Sequence, residues 1–127
     1  MDDLVQFLRA RLDEDEQTAR AAGGTWWAPP DLPGQVHDSG GINIEAKLPS
    51  FAAHIARHDP ARVLAEVDAK RQILRRLEGA ESTLGAAEKG TVPHDLMTGA
   101  VNSWRDAVRL LALPYADHPD YRQEWKP

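Results

Sequence analysis

Two histidines spaced four residues apart are the first feature of the sequence that suggests chemistry. His54 and His58 lie in a stretch that predicts a helix, and this spacing places two imidazoles on one helix face, where they can share a metal ion. A metal site needs a third ligand, for which Asp59, Asp117 and His118 are candidates. The alternative is that the histidines cap helix ends or lie at the surface. Metal binding is therefore the third of three functional hypotheses, and we predict no resident metal or cofactor.

Four basic residues in the next predicted helix form a second candidate site. Lys70, Arg71, Arg75 and Arg76 could contact the phosphates of a nucleic acid. The alternative is a solvated face whose cations lie favourably near a helix C-terminus. The net charge of −5 argues against a dominant nucleic-acid role, and nothing marks a helix-turn-helix motif. A nucleic-acid-associated regulator is the second hypothesis.

Two adjacent tryptophans give the leading hypothesis. Trp26 and Trp27, beside a pair of prolines, could form an exposed surface that binds a protein partner, or could cover part of the core. The sequence has no phosphate-binding glycine loop after a strand and no nucleophile-elbow serine. We therefore predict that the protein is not an enzyme but an interaction module that binds a protein partner or itself.

The composition limits the class of protein further. The chain has 127 residues, of which 42% are hydrophobic and 28% charged, as in a soluble globular domain. The absence of cysteine excludes disulfides, cysteine-bound zinc, iron–sulfur clusters and thiol catalysis. The opening residues are acidic and amphipathic, unlike a signal peptide, and no apolar run approaches the roughly 20 residues of a membrane span. These features predict a cytoplasmic protein with no membrane partner.

The apolar pattern predicts a single, mainly α-helical domain with minor β structure over residues 1–127. Leu4, Leu8 and Leu12 recur at helical spacing within a first helix at residues 1–22. Two further long helices and a short C-terminal helical tail are expected. A small β-hairpin is expected between the first helix and the central helices.

Residues 25–49 are rich in glycine and proline and predict the hairpin. Val36 and the segment 42–44 alternate with polar residues on either side of a glycine-containing turn, which is typical of two short strands. The two tryptophans would then cover one face of the hairpin. An irregular loop held by these tryptophans is the alternative.

Residues 50–79 predict a pair of helices at the centre of the chain. A short helix capped by Ser50 is followed by a restart at Asp59-Pro60, where aspartate is a favourable cap and proline a favourable first residue. Gly79 is expected to end the second, long helix.

Three segments complete the predicted architecture. Residues 80–92 are small and contain glycine, so they predict a connection between helices. Apolar residues at three- and four-residue spacing predict a helix over residues 93–113. Residues 114–127 contain several aromatic side chains, so this tail is expected to pack on the body.

Three stretches resemble a known family. They are the opening MDDLVQFLRARLDEDEQTAR, residues 51–77 with the core HIARHDPARVLAEVDAKRQIL, and residues 109–127, RLLALPYADHPDYRQEWKP. They are similar to the shared blocks of a family of small uncharacterised proteins of actinobacteria, mainly streptomycetes, and their phages. Some members carry a cysteine pair that suggests zinc. This sequence has none, so no metal role is carried over.

A fainter likeness is to the Ead/Ea22-like accessory proteins of tailed phages. It rests on the segment HIARHDPARVL at residues 54–64, preceded by a tryptophan-bearing hairpin. The two resemblances together imply a cytoplasmic accessory protein of phage or mobile-element origin. They name no catalytic residue.

Overall fold

The computed structural model describes all 127 residues. It contains the helices α1 (Asp2–Ala22), α2 (Pro49–Arg57), α3 (Pro60–Ala86) and α4 (Val92–Ala112), and the strands β1 (Trp26–Trp27), β2 (Gln35–Asp38) and β3 (Asn43–Glu45). Short 3₁₀ turns follow α4 at Leu113–Tyr115 and Gln123–Trp125. The predicted mainly α fold with a minor β component is confirmed.

The chain divides into two compact units. The sheet unit is Asp13–Asp68, and it contains the three strands, α2 and the first turns of α3. The helical unit is Met1–Leu12 together with Ala69–Pro127, and it contains α4 and the C-terminal tail. The expectation of a single domain over residues 1–127 stays a prediction.

The core of the helical unit is built from the apolar stripes of three helices. Its completely or almost completely buried side chains are Leu4, Leu8, Leu12, Leu74, Leu77, Val101 and Val108. Ion pairs between exposed or half-buried side chains surround this core, among them Arg9 with Glu78. Since exposed pairs contribute about 1 kcal/mol or less, the apolar core is the main source of stability in this unit.

The C-terminal tail lies against the first turns of α1. The ring of Phe7 has its centroid 5.8 Å from that of Tyr121 and 5.2 Å from that of Trp125. Arg122 Nη1 donates a hydrogen bond of 2.9 Å to Asp3 Oδ2. Tyr121 and Trp125 are both buried, so they form part of the core of the helical unit.

The prediction that Gly79 ends a helix and that residues 80–92 form a connection is wrong. Helix α3 continues through Gly79 to Ala86. A glycine that ends a helix usually has a positive φ, and Gly79 does not. Gly90 has a φ of 82°, but it lies beyond the end of α3, in the turn before α4. The residues after Gly79 include alanine, glutamate and leucine, which favour a helix. The Thr91 hydroxyl then caps α4 by accepting the His94 N–H at 3.3 Å.

Substitution of Gly85 by alanine is expected to stabilise the protein. Gly85 lies inside α3, and an added Cβ would have no atom within 4 Å. The free energy of unfolding should therefore rise by about 0.5–1 kcal/mol, the usual helix preference for alanine. Urea denaturation measures the change as a higher midpoint at constant slope. Gly90→Ala is the control. An added Cβ at Gly90 also has no atom within 4 Å, but the positive φ of this residue is unfavourable for alanine, so the free energy of unfolding should fall by about 1–2 kcal/mol. A destabilised Gly85→Ala protein would contradict the helical assignment.

The sheet unit contains three antiparallel strands in the order β1-β2-β3, rather than the predicted two-stranded hairpin. The additional strand is Trp26–Trp27 itself, paired with Asp38 and His37 of β2. A hydrogen bond of 3.1 Å from Ser39 N–H to the Thr25 carbonyl begins this pairing. Aromatic side chains favour strands, but a run of two residues shows no alternation that sequence reasoning could detect.

Asp59 connects the sheet to the start of α3. Its Oδ1 accepts the Arg62 N–H at 2.8 Å, which confirms the predicted helix cap. Its Oδ2 accepts the backbone N–H of Trp26 at 3.1 Å, and the residue is only 8% exposed. The cap predicted at Ser50 is wrong, because α2 starts at Pro49 and its N-cap residue is Leu48.

Candidate interaction surface

The two edges of the sheet differ, and the edge at β1 is closed. Because Ser39 N–H bonds to the Thr25 carbonyl, antiparallel alternation turns the N–H of Trp26 away from β2. Asp59 Oδ2 accepts that outward N–H. The outward donor of β1 is therefore already occupied within the protein.

The edge at β3 is open. Asp38 N–H donates to the Ile42 carbonyl at 3.0 Å, and Ala46 N–H donates to the Gly34 carbonyl at 2.7 Å. Ile44, which lies midway between them, must also direct its backbone groups towards β2. The N–H and C=O groups of Asn43 and Glu45 consequently point away from the sheet. All three residues of β3 are exposed, so these groups are available to another strand.

The apolar face of β3 is also left uncovered. Helix α2 packs mainly on β1 and β2. Val36 of β2 is therefore completely buried, whereas its cross-strand partner Ile44 is 39% exposed. Paired residues on one face of a sheet are usually buried to a similar extent. The difference therefore shows that α2 covers the face of the sheet at β2 but not at β3.

Further exposed apolar side chains adjoin β3 in the sequence. Ile42, Leu48 and Phe51 are all at least half exposed. A concavity of about 420 Å³ lies next to them, lined by Ala46, Phe51, His54 and Ile55. We use the term edge surface for β3 together with Ile42, Leu48 and Phe51. It combines unpaired backbone groups with apolar side chains, the two components of strand-addition interfaces.

The two tryptophans do not form one surface. Successive strand residues point to opposite faces of a sheet, and Trp26 and Trp27 follow this rule. Trp26 is half-buried and its indole N–H donates to the Gly23 carbonyl at 3.2 Å. Trp27 is 46% exposed and its ring lies edge-on to that of His37, with centroids 6.1 Å apart. The edge surface was not predicted from the sequence. The alternation of Ile42 and Ile44 with polar residues was the one local feature that pointed to it.

The family of the chain follows from comparison with known proteins. The model of DUF6221, a family of unknown function, matches residues 1–127. The chain belongs to DUF6221. No curated protein and no solved structure matches it. The predicted membership of a family of uncharacterised proteins is confirmed. The actinobacterial or phage origin stays a prediction.

The two histidines of this DUF6221 chain stack on each other at the end of α2. Their ring centroids are 4.3 Å apart, and His58 Nδ1–H donates to the His54 carbonyl at 2.8 Å. Both side chains are exposed. Asp59, one of the predicted third ligands, uses its carboxylate oxygens for the bonds to Trp26 and Arg62. The structure contains no group of three histidine, aspartate or glutamate side chains arranged around a metal position.

The four basic residues of the nucleic-acid hypothesis lie in different local environments. The ammonium group of Lys70 lies 5.9 Å from the ring centroid of Tyr115, and Arg71 is half-buried. Arg75 and Arg76 instead line a groove of about 430 Å³ between α3 and α4. The four cations are therefore not equivalent parts of one basic surface.

None of the helices combines the length and the apolar character that crossing a bilayer requires.

Proposed function

We propose that the protein is a non-enzymatic interaction module that docks a protein partner along the edge surface, and that this partner is a second copy of the chain. The observation that carries the proposal is the open edge of β3 beside an uncovered apolar face. The closed edge at β1, where Asp59 holds the outward N–H of Trp26, supports the choice of β3 over β1.

Two copies of β3 fit each other by symmetry. In an antiparallel pair centred on Ile44, Asn43 would exchange backbone hydrogen bonds with Glu45 of the partner subunit, and the reverse pair would form equally. The two Ile44 side chains would then face each other across a non-hydrogen-bonded position, where strands approach most closely. Such a contact is isologous, the usual arrangement of homodimers.

The apolar side chains of the edge surface would supply most of the binding free energy. Ile42 is 63% exposed, Leu48 50% and Phe51 56%. These side chains are already about half covered, so burying the remainder of each contributes about 1–1.5 kcal/mol, whereas association costs about 4–15 kcal/mol. A short strand with these neighbours therefore predicts a weak dimer, with a Kd on the order of 10–100 µM.

Light scattering after gel filtration tests the proposed dimer. The mass should rise from 14.1 kDa towards twice that value as the protein concentration increases. Ile44→Lys should leave a folded monomer, because it places two like charges opposite each other at the centre of the interface. Leu113→Lys is a matched control, since Leu113 is also 39% exposed but lies in the helical unit. A wild-type protein that stays monomeric up to about 500 µM, or a Leu113→Lys variant that dissociates like Ile44→Lys, would contradict the proposal.

A further inference from the structure

The groove between α3 and α4 has the composition of a ligand site. Its lining consists of Arg75, Arg76, Gly79, Ala80, Thr83, Met97, Ala100 and Trp104. Its volume of about 430 Å³ lies within the range of small-molecule pockets, about 300–1,000 Å³. The groove lies wholly within the helical unit, whereas the edge surface belongs to the sheet unit.

Small residues keep the groove open. The lining residues recur at three- and four-residue spacing on both helices, so they form the facing sides of α3 and α4. Gly79, Ala80 and Ala100 leave space that larger side chains would fill. Gly79 costs roughly 1 kcal/mol in a helix interior, yet an added Cβ there would have no atom within 4 Å. Packing within the chain therefore does not require a glycine at this position.

The two arginines of the groove lack counter-ions. Glu78 and Glu81 flank Gly79 on α3, but Glu78 pairs with Arg9, and Glu81 pairs with Arg105 at 3.2 Å. The groove lining contains no carboxylate, and Arg75 and Arg76 form no ion pair in the structure. Two guanidinium groups thus stand uncompensated in a protein whose net charge is −5.

We propose that this groove binds a small organic anion that carries an aromatic ring. Its acid group would lie between the guanidinium groups of Arg75 and Arg76, which bind carboxylate and phosphate oxygens in pairs. Its ring would lie against Trp104 and Met97, because aromatic and thioether side chains pack well on flat rings. Aromatic carboxylates and aromatic phosphate monoesters share this chemistry.

The number of cations favours a small ligand over a nucleic acid. Duplex-binding proteins commonly make about 6–10 phosphate contacts, whereas this groove offers two arginines. Lys70 is directed to the ring of Tyr115 and is not among the residues that line the groove.

Titration of the full-length protein with 1-naphthyl phosphate and with 1-naphthoate tests the site. The probes are followed through the four indole N–H signals in ¹⁵N NMR spectra, and Trp104→Phe identifies the signal of Trp104. At least one of the two acids should shift this signal until it saturates. The acid that binds with the higher affinity shows whether the groove prefers a phosphate or a carboxylate. Uncharged 1-naphthol and inorganic phosphate should bind at least about tenfold more weakly, since each lacks one of the two interactions.

Substitutions test whether the acids bind in this groove. The double variant Arg75→Gln/Arg76→Gln should lower the affinity at least about tenfold, while Arg57→Gln on α2 should not change it. Gly79→Leu should block binding, whereas Gly85→Leu on the same helix should not. The proposal is overturned if neither acid shifts the Trp104 signal, or if the double variant binds as well as the wild type. It is also overturned if a ten-residue oligothymidylate binds more than about tenfold tighter than either acid. Dimerisation, measured on the same samples, is expected to be unaffected.

Discussion

Trp125→Ala is expected to lower the free energy of unfolding by about 3–5 kcal/mol, the usual cost of truncating a buried tryptophan. Trp125 is 9% exposed. Its ring centroid lies 5.2 Å from that of Phe7 and 5.6 Å from that of Tyr121, and the guanidinium of Arg122 lies over it at 5.3 Å. The substitution therefore removes one of the main contacts that hold the tail against α1, beside those of Tyr121 and Arg122. Urea denaturation followed by circular dichroism measures the loss.

Trp27→Ala is the control of the same residue type. Trp27 is 46% exposed and its ring lies edge-on to that of His37, so the loss should be clearly smaller, about 1–2 kcal/mol. Equal losses for the two variants would show that the C-terminal tail does not contribute its buried aromatics to the core.

Asp59→Ala is expected to lower the free energy of unfolding by about 1.5–5 kcal/mol. The substitution removes the cap of α3, which accounts for about 0.5–2 kcal/mol. It also leaves the outward N–H of Trp26 without its acceptor, at a further cost of about 1–3 kcal/mol for a buried donor. Denaturant unfolding of the purified variant gives the sum.

Asp59→Asn separates the two contributions. Its single side-chain oxygen replaces one acceptor, so the variant should be intermediate in stability between Asp59→Ala and the wild type. Asp31→Ala, at an exposed position in the same unit, should change the free energy by less than about 0.5 kcal/mol. If Asp59→Ala were as stable as Asp31→Ala, the account of the closed β1 edge would be wrong.

The helices could be predicted from the sequence because their signals are local. The leucine stripe of α1 and the Asp59-Pro60 start of α3 each occupy one short segment, and both are observed. Gly79 misled the prediction, because the sequence alone does not distinguish a glycine with positive φ from a helical one. Gly90, eleven residues later, has the positive φ.

The candidate site could not be predicted, since it depends on contacts between distant segments. The adjacent tryptophans suggested one surface, but the pairing of β1 with β2 turns Trp26 and Trp27 to opposite faces. The exposure of Ile44 depends on which strands α2 covers, which no local pattern encodes. The missing counter-ion of Arg75 likewise follows from a contact with another helix, because Glu78, three residues after Arg75, pairs with Arg9 of α1.

Hydrogen exchange of individual backbone amides tests the proposed dimer most directly. The amides of Asn43 and Glu45 lie on the open edge of β3, whereas that of Ala46 is bonded to Gly34 within the chain at any concentration. When the concentration is raised from about 10 to about 500 µM, exchange at Asn43 and Glu45 should slow roughly three- to fivefold, because the monomer fraction of a dimerising protein falls only with about the square root of the concentration. Exchange at Ala46 should not change. Ile44→Lys should abolish the slowing. Fast exchange at Asn43 and Glu45 that does not depend on concentration would contradict docking of a second copy at β3.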